Sequence, residues 1–420
     1  MGASVTTPAP LRRARAAVAA MFAINGITGA AILPRLVDVQ QSLGIDDAAL
    51  GAALAIGAMG GLAVGPVAGP LVSRWGSARV TVGALLSYAP LLFLPAVAPG
   101  TVTLGLSLFW VLAGDAVMDA AMNAHGIRVQ AGYGRSILNS FHGFWSVGAV
   151  VGGALGAASA ALQVPLAPFL LAVGLSACVA GLVAARSLLP GPDPHSHLVD
   201  GDGAAAAGAD GHGGPTVRAR AATRPLVLLG LFILLAVVVE DVPARWSSVY
   251  MASIGAAAGA VGLAYVAFAA AQTLGRFLAD RVIDVYGQVV VVRVAMVAVA
   301  VGYGVGLLVG GPVAFVLASA LVGLGVAPLF PAALLAAAHL PGVRPATGVA
   351  VVSWLARIGF VVAPLAVGVL AESAGLVWGM ATTVLAAVLL VPLAGVLRAG
   401  ESGTAHGRAA GRGDARSDRG

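Results

Sequence analysis

The sequence predicts an all-α integral membrane protein: twelve transmembrane helices in two six-helix bundles, with both termini cytoplasmic. Three observations lead there. The first is composition. Of 420 residues, 59 % are hydrophobic, 58 further residues are glycine, and only 10 % are charged, where a soluble domain carries about 25 %. Too few polar side chains remain to cover a water-facing surface, and a disordered chain would hold far less apolar material. The second is a series of twelve apolar runs, each near the ~20 residues that cross ~30 Å of hydrocarbon. The third is the placement of arginine, which supplies all 23 basic residues and a net charge of +6. With the N-terminus in the cytoplasm, every arginine except Arg35, Arg245, Arg276 and Arg357 falls on or beside a cytoplasmic segment, as the positive-inside rule requires. Scattered singly between apolar runs, these arginines form no basic patch for nucleic acid.

The elements follow in order. Arg12, Arg13 and Arg15 precede the first run, 16–36. That pattern also resembles a secretory signal, but eleven further runs favour a retained helix. The second and third runs are 48–72 and 80–97. The fourth, 102–122, carries Asp115 and Asp119 and is closed by Asn123, a four-residue spacing that puts all three on one helix face. The fifth, 137–160, has His142 near its start. The sixth, 166–185, holds the single cysteine, Cys178, read as a packing residue. The remaining runs are 225–244, 256–279, 290–309, 313–337, 346–370 and 377–396. Helices are required because lipid cannot satisfy an open strand's backbone, and the runs lack the alternating polarity of barrel strands.

A polar stretch, 188–224, separates the sixth and seventh runs. It is rich in Gly, Ala, Asp, His and Pro and reads as a disordered cytoplasmic linker. The expected units are therefore an N-terminal bundle 1–187, the linker 188–224, a C-terminal bundle 225–397 and a disordered tail 398–420. In the linker, His195, His197 and His212 with Asp200, Asp202 and Asp210 fit no standard metal spacing, and neither a metal nor a cofactor is expected. A shift of 211 residues lays 50–76 over 261–287 without a gap, each stretch ending at a glycine, Gly76 or Gly287. The identities are few, but the matching span numbers suit a parallel repeat of six helices.

The turn after the second run reads Gly69-Pro70-Leu71-Val72-Ser73-Arg74-Trp75-Gly76-Ser77-Ala78-Arg79. It resembles the G-x-x-x-D-R-x-G-R-R signature of the major facilitator superfamily. Gly69, Arg74 and Gly76 match, and Ser73 stands where the acid is usual. The second half carries a degenerate copy, Asp280-Arg281-Val282-Ile283-Asp284-Val285-Tyr286-Gly287. Further similarity to a bacterial subgroup distantly related to sugar and fucose permeases lies in Asp119 to Asn123, Ser140-Phe141-His142, and Glu240 before Trp246-Ser247. The resemblance implies the two-bundle fold, a cytoplasmic gate at the two motifs, and a cavity lined by helices 1, 4, 7 and 10. Neither the helix-four arginine nor the helix-five proline motif of drug–proton antiporters is present.

Ionisable residues inside the membrane cost about 2.5–3.5 kcal/mol each on insertion scales, so they mark candidate functional positions. Besides Arg35 and Arg293 at the ends of runs one and nine, seven lie within or at the edge of runs: Asp115, Asp119, His142, Glu240, Asp241, Arg276 and Arg357. Arg293 aside, none falls in runs three, six, nine or twelve, the outer helices of the fold that the motifs imply. At 1.5 Å per residue, Asp119 and His142 lie about 6 and 8 Å from the cytoplasmic face and are expected to form a hydrogen-bonded pair able to carry a proton, against the alternative of a packed histidine. Arg357 lies about 16 Å deep, and either Asp115 or Glu240 is its expected partner. Asn25 and Gln272 are uncharged hydrogen-bonding candidates. Trp110, Trp145, Tyr265, Phe268 and Trp354 are candidates for stacking on a ring-shaped solute, with packing as the alternative. Gly323, Gly325, Pro328 and Pro331 are expected to weaken run ten.

These features fit a secondary transporter that moves a small organic solute across the plasma membrane by alternating access, with protons as the driving ion. It is expected to work as a monomer in the bilayer. Uptake of a sugar-like solute and efflux of a metabolite or drug are both open. An enzyme would need a nucleophile–base set or His-rich metal spacing, and none is found. The other alternative is a membrane receptor, which would need a folded soluble domain.

Overall fold

The computed structural model describes residues 9–133, 137–191, 216–340, 343 and 345–398. The linker histidines and aspartates and the tail beyond 398 lie outside the described residues. The described chain is helical throughout. The first half contains α1 (Ala9–Ala30), a 3-10 turn Leu33–Arg35, α2 (Leu36–Leu43), α3 (Asp47–Trp75), α4 (Ser77–Tyr88), α5 (Leu94–Val97), α6 (Thr101–Tyr133), α7 (Leu138–Ala161) and α8 (Leu166–Ala185). The second contains α9 (Thr216–Ser253), α10 (Leu263–Tyr286), α11 (Gln288–Val309), α12 (Pro312–Val326), α13 (Leu329–Ala338), α14 (Pro345–Ala374) and α15 (Leu376–Leu393). Among the described residues eleven helices are long and apolar enough to cross a membrane, and a shorter apolar helix covers Leu263–Ala279.

Several elements differ from the sequence reading. The eighth run was expected from residue 256, but α10 starts at Leu263. Gly255, Gly259 and Gly262 are apolar by composition yet poor helix formers. The fourth helix does not stop at Met122. It runs on to Tyr133, because polar residues end an apolar run without ending a helix. Asp119 and Asn123 therefore sit well inside α6 rather than at its end. The backbone of α9 is helical from Thr216, within the stretch expected to be linker. The third run is broken by Pro90 and Pro95 into α4, a 3-10 turn and α5. Run ten divides between α12 and α13 at Ala327 and Pro328, where Pro cannot donate its backbone bond.

The two glycine turns share one geometry. Gly76 has φ 83 and ψ 144, and Gly287 has φ 82 and ψ 150. Each donates its N–H to the carbonyl four residues back, Val72 and Ile283, at 2.8 Å. This backbone region is accessible almost only to glycine. The residue after each turn is buried and ties the turn to a neighbouring helix. Ser77 Oγ lies 2.8 Å from His125 Nδ1 on α6, and Gln288 Nε2 donates to the Ala332 carbonyl on α13 at 3.1 Å. The 211-residue shift thus superposes backbone conformation and tethering although the side chains differ.

Small residues set the helix contacts. Gly148, Gly152 and Gly156 recur every four residues on α7, and an added Cβ at each would meet the backbone of Ala23, Ile27 or Ala31 on α1. Without a hydrophobic drive between helices in lipid, such close approach supplies the attraction. One buried cluster spans Ala14 to Leu188 in the first half. A second is built mostly from Leu229 to Leu397 and reaches over to Leu36, Leu50, Leu104 and Ala149. Backbone meets backbone between the halves at the end away from the linker. There Gly51 abuts Pro364 and Gly368, and Gly262 abuts Ala157 and Pro34. Ser248 Oγ donates to the Leu33 carbonyl at 3.2 Å. Arg35, 5 % exposed, pairs with Asp38 and donates to Ser159 Oγ at 2.7 Å and to the Val164 carbonyl, clasping this end of the first half.

Candidate functional site

Between the halves, α1, α6, α7, α9, α10 and α14 bring their polar side chains together. Asn25 on α1 is 3 % exposed and uses both ends of its amide. Nδ2 donates to Asp115 Oδ1 at 2.7 Å, and Oδ1 accepts from Trp145 Nε1 at 2.8 Å. The Arg276 guanidinium lies over the Trp145 ring, 5.8 Å from its centroid. Arg276 also donates to Ser146 Oγ at 2.8 Å and lies 3.8 Å from Glu240 Oε1, which accepts from Gln272 Nε2 at 2.8 Å. A single chain of polar contacts therefore runs Asp115, Asn25, Trp145, Arg276, Glu240, Gln272, and it crosses from one half to the other.

Asp119 lies one turn from Asp115 and accepts from Asn123 Nδ2 at 3.1 Å. Arg357 projects from α14 toward α3, where Nη1 donates to the Gly61 carbonyl at 3.2 Å and the guanidinium head lies beside Gly65. The Arg357 charge acts on both Asp115 and Asp119, and His142 acts on Asp119. Asp115, Asp119, Glu240, Arg276 and Arg357 are all partly exposed, and His142 is exposed.

A family model of the Major Facilitator Superfamily matches residues 243–417. An uncharacterized MFS-type transporter of Yersinia pestis is 29 % identical over 360 residues, covering 84 % of this chain and 88 % of the relative. Among solved structures, the nucleoside transporter NupG superposes with a TM-score of 0.69 at 14 % identity, covering 94 % of this chain and 99 % of the other. A D-xylose-proton symporter superposes with a TM-score of 0.70 at 12 % identity, covering 90 % and 97 %. These matches support a membrane transporter of the MFS type rather than an enzyme, and the series of long apolar helices fits a multi-pass membrane protein.

The similarity gives the motif residues a setting. Gly76 and Gly287 form the paired turns described above. Gly69 lies within α3, Arg74 is exposed at its end, and Arg281 and Asp284 are exposed on α10. The side chain of Asp280 is outside the described set. Ser73 Oγ donates to the Pro70 carbonyl at 3.0 Å, a bond within its own helix.

Two sequence expectations about partners are corrected by the structure. Arg357 makes no ion pair with Asp115 or Glu240 among the described residues. Glu240 is instead matched with Arg276, which α10 places one turn beyond Gln272. Asp119 and His142 are not hydrogen-bonded: the His142 ring stands edge-on to Phe22, with centroids 5.2 Å apart. Asn25 bridges helices through its bonds to Asp115 and Trp145. Of the aromatic candidates, Tyr265 and Phe268 are buried between helices, while Trp110 and Trp354 are 54 % and 56 % exposed. Trp145 alone of the five contacts the polar chain. Asp241 pairs locally with Arg245, one turn on, at 2.5 Å.

Sequence reasoning missed Ser146 and Thr273: the Thr273 hydroxyl donates to the Ser146 backbone carbonyl, and the Ser146 hydroxyl accepts from Arg276, both between α7 and α10. It also missed the Tyr88–Thr28 hydroxyl contact at 2.9 Å beneath Asp115. Neutral hydroxyls in apolar runs are too common to stand out, and only Trp145 carried a signal, as an aromatic in a helix otherwise rich in small residues.

Proposed function

We propose that this chain is a twelve-span, proton-coupled secondary transporter that moves a small hydroxylated organic solute by alternating access, with both termini cytoplasmic. Two six-helix bundles, 1–187 and 225–397, would rock about the crevice, joined by the linker. The polar chain from Asp115 to Gln272 carries this reading, because it draws its members from both halves and lies midway along their helices. Three carboxylates (Asp115, Asp119, Glu240) face two guanidinium groups (Arg276, Arg357), leaving one uncompensated negative charge when all are ionised. An uncompensated charge inside the membrane is costly, and a proton taken up at Asp115 or Asp119 removes it. His142, exposed in the same crevice, suits a stop on the proton's way.

Amide, carboxylate and guanidinium groups suit a solute rich in hydroxyls. Two structural neighbours, a nucleoside transporter and a D-xylose-proton symporter, agree with that class. Close backbone contact at the end away from the linker, with the crevice groups accessible, corresponds to a cytoplasm-facing state in this orientation. Gly69, Arg74, Gly76, Arg281, Asp284 and Gly287 would then serve the cytoplasmic gate, with Asp280 as its remaining acid. Asn123 holds Asp119, and Gln272 holds Glu240.

The test is uptake of radiolabelled D-xylose and uridine into proteoliposomes with an inside-alkaline pH gradient. Accumulation of either that collapses on adding a protonophore is expected. Uptake indifferent to the protonophore would remove the proton from the account, and no movement of either probe in either direction would remove the solute class.

A further inference from the structure

The crevice contains one contact whose geometry exceeds what packing needs. Asn25 is held at both ends of its amide by groups on two other helices, and one of those groups is an indole whose face carries a guanidinium from the opposite half. We infer that Asn25 and Trp145 are positioning residues that relay the protonation state of Asp115 to the Arg276–Glu240 pair across the boundary between the halves. The inference rests on the reading that a proton is carried at the aspartates, and it adds how that event reaches the second half.

The physical chain has three steps. The Asn25 bond to Asp115 is charge-assisted while the carboxylate is ionised, and such bonds are about twice as strong as neutral ones. That bond polarises the amide, so the Asn25 oxygen is a better acceptor for the Trp145 N–H than an isolated amide would be. Protonation of Asp115 weakens the first bond and with it the second, and the indole is freed to tilt. Arg276 rests on the indole face and holds Ser146 on α7 as well as Glu240 on α9. A tilt therefore alters the contact between α7 and α10, one of the helix pairs joining the halves.

Other charged and titratable groups act on the same carboxylate. Asp119 does so from its own helix, Tyr88 from α4 and Arg357 from α14. Of these, Tyr88 also meets Asn25, and its hydroxyl ends on Thr28 and Met118, all within the first half. At the far end of the relay, Arg276 faces His142 as well as Glu240. Asn25–Trp145 is the path by which hydrogen bonds join Asp115 to a side chain touching the second half.

The experiment reads conformation, so it needs no solute. Arg79 and Val290 occupy equivalent positions after the two glycine turns, one in each half, and both are exposed. In a Cys178→Ala background, Arg79→Cys and Val290→Cys carry spin labels, and the distance between them is measured by double electron–electron resonance in phosphatidylethanolamine–phosphatidylglycerol nanodiscs. Spectra are compared over a titration from about pH 3.5 to about pH 9, a range that covers carboxyl and imidazole titration. Trp145→Phe keeps an aromatic face for Arg276 and deletes only the indole N–H. Asn25→Leu removes both bonds at similar volume. Trp110→Phe is the control, since that indole donates to the Ser87 carbonyl at 3.2 Å on the exposed surface.

The labelled parent and Trp110→Phe are expected to shift their distance populations with pH, and Trp145→Phe and Asn25→Leu to shift at least about five-fold less. Equal shifts in the parent and both crevice variants would overturn the relay and leave proton coupling standing. A parent that does not respond to pH would overturn proton coupling, and the relay with it.

Discussion

Arg357 sits half-buried with one backbone carbonyl as its hydrogen-bond partner and two aspartates within electrostatic reach. A guanidinium offers five donors in a rigid fork, so most of its capacity is open to a solute or to the aspartates in another conformation. Arg357→Ala is expected to lower counterflow of the transported probe at least ten-fold, equivalent to about 1.4 kcal/mol. Arg357→Lys should restore little of it, because an ammonium cannot reproduce the fork. Unchanged counterflow in Arg357→Ala would make the residue structural. Asp119→Asn removes a proton site and keeps the shape, so it should retain counterflow while abolishing pH-driven accumulation, and retained accumulation would assign the proton elsewhere. The residue types and spacing were legible in the sequence: a four-residue acidic stripe, a deep arginine, a late glutamate. Their partners were not. Depth along a helix gives one coordinate, whereas pairing depends on how the helices rotate and lean. Arg357 points from α14 to the Gly61 carbonyl on α3, so Glu240 meets Arg276 instead.

At the scale of elements, most apolar runs became helices near the predicted places, since burial in lipid leaves the backbone no alternative. The misses have one cause. Hydropathy measures polarity, and helices end for reasons of backbone conformation. Thus α6 outlasts its apolar run by eleven residues, from Met122 to Tyr133, while the glycines before Leu263 shorten α10. The stripe on α7 gives a stability prediction. Gly152→Leu would drive a side chain into the α1 backbone at Ile27, and such overpacking costs about 1–3 kcal/mol. Gly76→Ala should cost a similar amount, about 1–3 kcal/mol, by forcing an L-residue into a glycine conformation. Gly83, inside α4 with nothing near its Cβ position, is the comparison: Gly83→Ala should be neutral or stabilising by up to about 1 kcal/mol. Thermal melting of the purified protein in detergent checks all three, and a Gly76→Ala variant as stable as Gly83→Ala would refute the turn argument.

For the whole molecule, the account requires that polar groups from two halves meet in one water-filled crevice, closed at one end and open at the other. The 211-residue shift picked out one feature in advance, the turn conformation that Gly76 and Gly287 share. The side facing water was not legible, since charge counts orient a chain without fixing its conformation. The most direct test is the wetting of that crevice from each side. His142→Cys in the Cys178→Ala background places one thiol on the exposed face of α7. A membrane-impermeant maleimide should modify it at least about ten-fold faster in inside-out than in right-side-out vesicles, as alternating access with the far end shut requires. A thiol protected from both sides would show a dry interface, and the reading of these residues as a transport site would be wrong.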